Sequence, residues 1–163
     1  MKPWSHVLSL HGLIDNCELE WLRANAFGRA VELGSLEGKS SCAIASSVDV
    51  NSLTCIDLWP EDFRWLHFWE NVDGFPITGI KADSVVAAAT FPDASVDFVF
   101  IDTNHTYEST IAEIAAWLPK LREGGLMCGH DYNNEGYPGL AKAVDEKLPK
   151  RQVQHSIWFN YIP

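Results

Sequence analysis

The feature that most limits the possible folds is a regular alternation of short apolar runs with segments that favour helices. Strands are predicted at 29–33, 53–58, 76–81, 96–102 and 126–129, with a final strand or tight hairpin at 153–162. Helices are predicted at 17–25, 40–47, 60–72, 83–91, 109–118 and 139–148. Such alternation predicts a parallel sheet with helices on both faces. In a sheet of this type, ligands bind beyond the carboxyl ends of the strands.

Individual residues set the expected boundaries of these elements. Asp15 or Asn16 is the candidate N-cap of the first helix. Pro119 should kink or end the helix at 109–118, and Gly124-Gly125 should end it. Gly79 weakens the strand predicted around it. The helical period in 109–118 predicts one apolar face made of Ile111, Ile114, Ala115 and Leu118.

The turn VELGSLEGKSS carries glycines between a strand and a helix. Gly34 and Gly38 permit a tight turn and a close approach of the backbone to a ligand, and Glu32 comes directly before them. The dinucleotide fingerprint G-x-G-x-x-G is absent because Leu36 stands where its second glycine would be. A pyrophosphate needs that close approach, so NAD and FAD are disfavoured. A turn without any ligand is an equally open interpretation of this motif alone.

Two further acids follow predicted strands. Asp57 lies 25 residues beyond Glu32, close to the spacing of roughly 20 residues at which a carboxylate binds ribose hydroxyls in such folds. Asp83 is placed either to border an adenine or to cap a helix, and the two roles are compatible. A ribose-binding acid without a pyrophosphate loop favours a nucleoside-type cofactor. S-adenosylmethionine fits because it carries adenine, ribose and a sulfonium but no phosphate.

Four motifs together resemble a known family. VELGSLEGKSS, CIDLW, DASVDFVFIDTNHTYE and LREGGLMCGHDYNNEGYPGLAKAVDE, spread over about residues 18–146, are similar to class I S-adenosylmethionine-dependent methyltransferases. The most similar branch holds macrocin and other sugar O-methyltransferases and the cephalosporin-hydroxylase-like proteins. The resemblance implies one α/β domain over 1–163: a Rossmann-like, doubly wound sheet in the order 3-2-1-4-5-7-6, mostly parallel. The sheet would lie inside a three-layer αβα sandwich with minimal C-terminal strands.

The resemblance also implies roles for residues in the first half of the chain. The positions that would bind the methionine and ribose part of the cofactor, or shape the turn beneath it, are Glu32, Gly34, Ser35 and Gly38. Asp57 would hold the ribose, and Asp83 and Ser84 would approach the adenine.

Members of this branch often bind a divalent cation, Mg or Mn, beyond strands 4 and 5. The matching positions are Asp102, His130 and Asp131. His130 stands where metal-binding members have a carboxylate, and histidine suits transition metals better than magnesium. Thr103-Asn104 also departs from the Gly-Asp or Ala-Asp that the family has before its histidine.

The candidate catalytic residues are Asp102, His105 and His130. Methyl transfer to an alcohol needs in-line positioning and the removal of one proton, and histidine is a natural base for it. His105 could act on the substrate, orient its loop, or only bind backbone in the turn. His130 could be a base, a metal ligand or a packing residue, and Asp131 could simply brace its loop.

Composition restricts the partners. The chain has 12 Lys and Arg against 22 Asp and Glu, a formal charge of −10, which disfavours binding to nucleic acid. No apolar run is long enough for a membrane span, no signal peptide is apparent, and the four cysteines show no C-x-x-C pair. We therefore expect a cytoplasmic protein with a small-molecule acceptor. Aromatic residues at 59–69 indicate core packing, a cofactor wall or a homo-oligomer interface.

Three functional hypotheses follow. The first is S-adenosylmethionine-dependent O-methylation of a small hydroxylated acceptor, a sugar or natural product, with or without help from a metal. The second is a degenerate cofactor-binding domain without catalysis. The third is a nucleotide-dependent oxidoreductase, which the missing fingerprint glycine disfavours.

Overall fold

Seven strands form one mixed sheet in the order β3-β2-β1-β4-β5-β7-β6. The computed structural model describes residues 2–163. The strands are β1 (Gly28–Leu33), β2 (Val50–Asp57), β3 (Ile77–Lys81), β4 (Val96–Ile101), β5 (Leu121–Gly129), β6 (Gln152–Gln154) and β7 (Ile157–Tyr161). The helices are α1 (Trp4–Ser9), α2 (Asn16–Asn25), α3 (Lys39–Ala45), α4 (Asp62–Val72), α5 (Ser84–Ala88), α6 (Tyr107–Trp117) and α7 (Pro138–Lys147). The predicted strand order is confirmed.

The register of the parallel strands brings four strand ends to one level. Leu33 at the end of β1 pairs with Ile56 of β2 and Ile101 of β4, and Ile101 pairs in turn with Gly129 of β5. The residues that follow these strands therefore emerge side by side at one edge of the sheet. β7 runs antiparallel to both β5 and β6, as predicted.

Helices cover both faces of the sheet, which confirms the three-layer architecture. The β4 residues alternate between the faces: Phe98 and Phe100 pack in the cluster that includes α1, α2, α3 and α4, while Val99 and Ile101 pack with α5, α6 and α7. Every residue of β4 is buried. A strand buried on both faces has no polar face, which explains the apolar run from Phe98 to Ile101.

The predicted end of α6 near Pro119 is confirmed, but the role predicted for Gly124-Gly125 is wrong. α6 ends at Trp117, and Pro119 lies in a single 3₁₀ turn, Leu118–Lys120. Gly124 and Gly125 do not end a helix but lie inside β5. The β4–β5 register shifts there, and a Cβ on Gly125 would lie 2.8 Å from the carbonyl oxygen of Arg122. Glycine is needed because the irregular strand folds tightly on its own backbone.

Other local predictions also differ from the structure. α1 was not predicted, because one short turn with a single buried residue, Val7, gives no periodic pattern. Gly79 does lie in β3, where an added Cβ would come within 2.9 Å of the Trp69 ring, so its small size admits the aromatic side chains of α4. Cys17 is exposed, unlike the other three cysteines, and all four are free. Within residues 2–163, none of the helices has both the length and the apolarity that a membrane crossing needs.

Candidate active site

A cavity of about 720 Å³ opens at the carboxyl ends of the parallel strands. The loops after β1 to β5 form most of its wall, and residues 11–14 from the segment between α1 and α2 close one side. Nine of the residues predicted for the site line it: Gly34, Ser35, Asp57, Asp83, Ser84, Asp102, His105, His130 and Asp131. The level strand ends bring these residues together from distant parts of the chain.

Asp57 fixes the turn after β1 as well as facing the cavity. Its Oδ2 accepts a hydrogen bond from the backbone N–H of Leu36 at 2.8 Å, and its Oδ1 accepts one from Trp59 at 2.8 Å. The indole Nε1–H of Trp59 donates to the carbonyl of Leu36 at 2.6 Å. Leu36 and Trp59 both have positive φ, 45° and 37°, so Asp57 stabilises two unfavourable backbone conformations. Each carboxylate oxygen retains a second acceptor site for a ligand.

Gly34 allows the first turn to touch the end of β4. It has φ of 85°, and an added Cβ would lie 2.0 Å from the carbonyl oxygen of Asp102. The Asp102 backbone N–H donates to Leu33 at 2.8 Å. The turn after β1 and Asp102, a candidate catalytic residue, are therefore in direct backbone contact.

Two residues predicted to bind the cofactor do not line the cavity. Glu32 is fully buried behind the turn, where its Oε2 accepts hydrogen bonds from Ser41 and Cys55. Burial raises the pKa of Glu32, although the neighbouring serines oppose the rise. Gly38 faces α4 instead, because an added Cβ would lie 2.7 Å from Val72. Both residues shape the turn from below, since the β1–α3 junction must pack on α4.

Asp83 caps α5, as predicted, and also lines the cavity. Its Oδ1 accepts hydrogen bonds from the backbone N–H groups of Val85 and Val86, each at 3.0 Å. Ser84 turns its hydroxyl toward Glu113 of α6 and donates to Oε1 at 2.5 Å. Glu113 was not singled out from the sequence, although it lines the same cavity.

Asp102, His105 and Asp131 converge at the end of β4. The Nε2 of His105 lies 3.0 Å from Oδ1 of Asp102 and 3.3 Å from Oδ2 of Asp131. His105 and Asp131 both have positive φ, 60° and 61°, a conformation that costs roughly 1–3 kcal/mol per residue. The His105 ring also stacks on Tyr137, with centroids 4.5 Å apart. Surrounding contacts thus hold both backbones in conformations that direct their side chains to one point.

His130 faces the same group but has a different partner. Its Nε2–H donates to Oε2 of the buried Glu18 at 2.9 Å, while Nδ1 lies 3.5 Å from Asp131 and 3.8 Å from Asp102. Burial disfavours the charged imidazolium, but the attraction of Asp131, Asp102 and Glu18 outweighs it and raises the pKa of His130 to about 9. The positive imidazole and the hydrogen bond from Asn134 hold the pKa of Asp131 at about 2.

The geometry also changes the predicted set of metal ligands. The donor atoms of Asp102, His105 and Asp131 all lie within 4.8 Å of one another. His130, which the family resemblance implied as a ligand, uses its Nε2 on Glu18 and leaves Nδ1 at the margin of this group. Glu18 gave one sequence signal, its position three residues after Asp15, whose backbone N–H donates to Oε2 at 3.0 Å. That spacing indicates a helix start but not a partner for His130.

A second, smaller cleft of about 390 Å³ adjoins the other side of His130 and Asp131. Asp15, Cys17, His155 and Ser156 are among the residues that line it. This cleft places further polar groups beside His130 and Asp131, between α2 and the turn from β6 to β7.

The aromatic group after β2 is core and does not form a cofactor wall. Trp59 and Phe68 are fully buried, and their rings lie 4.7 Å apart. Trp59, Trp65, Phe68 and Trp69 are all absent from the cavity lining. The rings of Trp65, Phe68 and Trp69 pack on the sheet near Gly79, and this packing buries most of their apolar surface.

Fold and site together define a Rossmann-like methyltransferase architecture: a 3-2-1-4-5-7-6 sheet whose ligand cavity lies at the ends of its parallel strands. The family described as "Methyltransferase domain" matches residues 31–132. The chain belongs to this family. No curated protein matches the chain.

Solved structures share the fold at low sequence identity. An O-methyltransferase from Bacillus cereus in complex with SAH superposes with a TM-score of 0.73 at 14% identity, over 100% of this chain and 92% of that one. The SAH-bound methyltransferase PaMTH1 from Podospora anserina gives 0.73 at 13%, over 96% and 84%. A methyltransferase from Geobacter sulfurreducens gives 0.70 at 15%, over 92% and 80%.

Proposed function

We propose that this protein is an S-adenosylmethionine-dependent O-methyltransferase that acts on a small hydroxylated acceptor. The observation that carries the proposal is one cavity lined both by the residues predicted to bind the cofactor, Gly34, Ser35, Asp57 and Asp83, and by a histidine held between two carboxylates. The methyltransferase family match and the SAH-bound neighbours of the same fold support it.

The cofactor would lie across the ends of β1, β2 and β3. Asp57 would accept hydrogen bonds from the ribose hydroxyls, because its oxygens retain acceptor capacity after binding two backbone amides. Gly34 and Ser35 would bind the methionine part, and the loop of Asp83 and Ser84 would border the adenine. The sulfonium cation suits a cavity with this many carboxylates, whereas a dinucleotide would bring two phosphates to it.

The chemical step breaks the bond between sulfur and the methyl carbon and forms a bond between that carbon and the acceptor oxygen. The acceptor loses its hydroxyl proton, and S-adenosylhomocysteine leaves with the electron pair of the broken bond. We assign the proton to His105. Donation from its Nε2–H to Asp102 or Asp131 would leave Nδ1 unprotonated, and the two carboxylates would stabilise the imidazolium that forms.

A divalent cation is part of this proposal as a variant of the same site. The mixed set of Asp102, His105 and Asp131 fits a transition metal such as Mn²⁺ better than Mg²⁺, because it includes an imidazole nitrogen. When bound, such an ion would lower the pKa of the acceptor hydroxyl and orient it. His105 would then be a ligand and not the base, so metal dependence separates the two versions.

The cleft beside His130 and Asp131 gives the acceptor a polar approach. The acidic rim favours a neutral or cationic molecule, and it disfavours nucleic acid and other phosphate-bearing acceptors. A sugar or a hydroxylated natural product meets these conditions.

The first experiment is calorimetric titration of the metal-stripped protein with S-adenosylhomocysteine, with NAD as the control. We expect micromolar binding of S-adenosylhomocysteine alone, and a repeat with Mn²⁺ or Mg²⁺ tests the cation. Failure of S-adenosylhomocysteine to bind would overturn the proposed cofactor, and binding of NAD alone would favour the oxidoreductase hypothesis.

Alanine substitution at Asp102 or His130 separates an active enzyme from a degenerate cofactor-binding domain. In an active enzyme these variants lose turnover but keep most of their affinity for S-adenosylhomocysteine. A wild-type protein that binds the cofactor but methylates none of a broad panel of alcohols would favour the degenerate domain.

A further inference from the structure

A buried carboxylate in the cofactor cavity has no role in the chemistry proposed above. Glu113 is 3% exposed yet lines the cavity. It lies on the second turn of α6 and is not one of the three residues, Asp102, His105 and Asp131, whose donor atoms group together. Burial raises the pKa of its carboxyl, and the hydroxyls of Ser84 and Thr103 oppose that rise. A buried carboxyl group that also lines a ligand cavity is costly unless it has a hydrogen-bonding or charged partner.

The two hydroxyls fix the orientation of this carboxylate. Ser84, the first residue of α5, donates to Oε1 at 2.5 Å, and Thr103, from the loop after β4, donates to Oε2 at 2.8 Å. Ser84 is held in turn, because its carbonyl accepts from the Trp117 indole at 3.0 Å. Each carboxylate oxygen has a further lone pair, so Glu113 can accept a hydrogen bond from a ligand without losing either hydroxyl.

The neighbouring wall is apolar and small. Ile56, Leu58, Ala82, Val85 and Ala112 also line the cavity, and four of them directly adjoin Asp57, Asp83 or Glu113 in sequence. Such a wall suits the flat faces of a purine, and a hydrogen bond to a carboxylate there needs a group that carries N–H or O–H. Within S-adenosylmethionine, Asp57 would bind the ribose hydroxyls and the turn at Gly34 would bind the amino-acid ammonium. The exocyclic amine of adenine is the remaining donor.

We infer that Glu113 reads the base of the cofactor by accepting a hydrogen bond from the adenine 6-amino group. Asp83, the acid that sequence patterns pointed to, keeps its Oδ1 on two backbone amides of α5. Glu113 is therefore the specificity-determining residue and Asp83 the structural cap. The inference rests on the proposed function, since it needs an S-adenosyl cofactor in the cavity.

The test compares S-adenosylhomocysteine with S-inosylhomocysteine, which replaces the 6-amino group with a carbonyl oxygen. By calorimetry the wild-type protein should bind the adenine form at least about tenfold more tightly, since a carboxylate opposite a carbonyl oxygen loses a charged hydrogen bond. Glu113→Gln should reduce this ratio to within about threefold, because its amide can also donate to the carbonyl. Asp83→Asn and the exposed Glu123→Gln should keep the wild-type ratio.

Each outcome decides the inference. An unchanged ratio in Glu113→Gln, or a ratio lost in Asp83→Asn instead, overturns it while leaving the proposed function intact. A wild-type protein that binds neither ligand removes the proposed function itself. The ratio is insensitive to a partly unfolded sample, and Ser84→Ala is a second variant if Glu113→Gln does not fold. Ser84→Ala frees one carboxylate oxygen and should reduce the ratio by a smaller factor, and an unchanged ratio there also counts against the inference.

Discussion

His130 donates a hydrogen bond from Nε2 to Oε2 of Glu18 across 2.9 Å, although the two residues are 112 positions apart in the chain. Both side chains are buried, with 5% and 7% exposed. The other oxygen of Glu18 accepts from the backbone N–H of Ser156 at 3.1 Å and from its hydroxyl. Glu18 thus fixes the orientation of the imidazole and leaves Nδ1 directed toward Asp102 and Asp131, in the way that an outer carboxylate orients a functional histidine.

Replacing Glu18 should destabilise the protein as well as disturb the site. We expect Glu18→Ala to lower the free energy of unfolding by about 3 kcal/mol, because it leaves the Nε2–H of His130 buried without its acceptor. Urea denaturation measures this change. Glu20→Ala on the same helix is the matched control, because Glu20 is exposed, and it should change stability by less than about 0.5 kcal/mol. Equal effects of the two substitutions would contradict the assigned pair.

Stability should fall as the pH rises through the range set by His130. The folded-state pKa is raised to about 9, whereas an unfolded histidine titrates near 6.5. The stabilisation is therefore fully present below pH 6.5 and is lost as the pH rises toward 9. Between pH 6 and 8.5, urea denaturation of metal-stripped protein should show a loss of up to about 2 kcal/mol. His130→Gln should show a much flatter profile, and a parallel profile would exclude His130 as the source.

Gly34 should tolerate no side chain. Gly34→Ala would place a Cβ 2.0 Å from the Asp102 carbonyl oxygen at a φ of 85°, so we expect a loss of about 3 kcal/mol or more in stability, together with weaker binding of S-adenosylhomocysteine. Gly74→Ala is the control: its φ of 83° is nearly the same, but nothing lies within 4 Å of the new Cβ. It should cost only about 1 kcal/mol, and thermal denaturation of both variants separates contact from backbone strain.

Trp59 should affect cofactor affinity although it does not line the cavity. Trp59→Phe keeps a ring beside Phe68 but removes the indole hydrogen bond to the Leu36 carbonyl. We expect a stability loss of about 1 kcal/mol and a three- to tenfold weaker affinity for S-adenosylhomocysteine, because the turn after β1 loses one of its anchors. Trp69→Phe, at a partly exposed ring of the same group, should bind like the wild type. Unchanged affinity in Trp59→Phe would mean that Asp57 alone holds the turn.

The alternation of strands and helices and the cluster of acids at the strand ends could be predicted because both depend on local pattern, whereas the strand order followed from the family resemblance. A buried strand that runs into Asp57 or Asp102 fixes where that acid emerges, and parallel register then aligns the ends. The family resemblance supplied the antiparallel β7, which no pattern within its loosely alternating tail would have established.

Side-chain partners could not be predicted in the same way. The expected apolar face of α6 was out of phase: Thr110, Glu113, Ile114 and Trp117 are the buried residues. Glu113 is tolerated there only because Ser84 and Thr103 donate hydrogen bonds to its oxygens. These two hydroxyls belong to other segments of the chain, so the periodic pattern of α6 does not predict them. The candidate metal group contains His105 instead of the predicted His130 for the same reason. His130 binds Glu18, which lies on α2, a distant part of the chain.

The contact between Glu18 and Ser156 also sets the order in which the site can be completed. These residues are 138 positions apart, so during synthesis on a ribosome the brace behind His130 must wait until nearly the whole described chain has emerged. The part of the cavity wall that follows β1 to β4 can assemble earlier. A nascent chain that stops after β5 would thus hold the cavity wall and Glu18 but lack Ser156, which supports Glu18 behind His130.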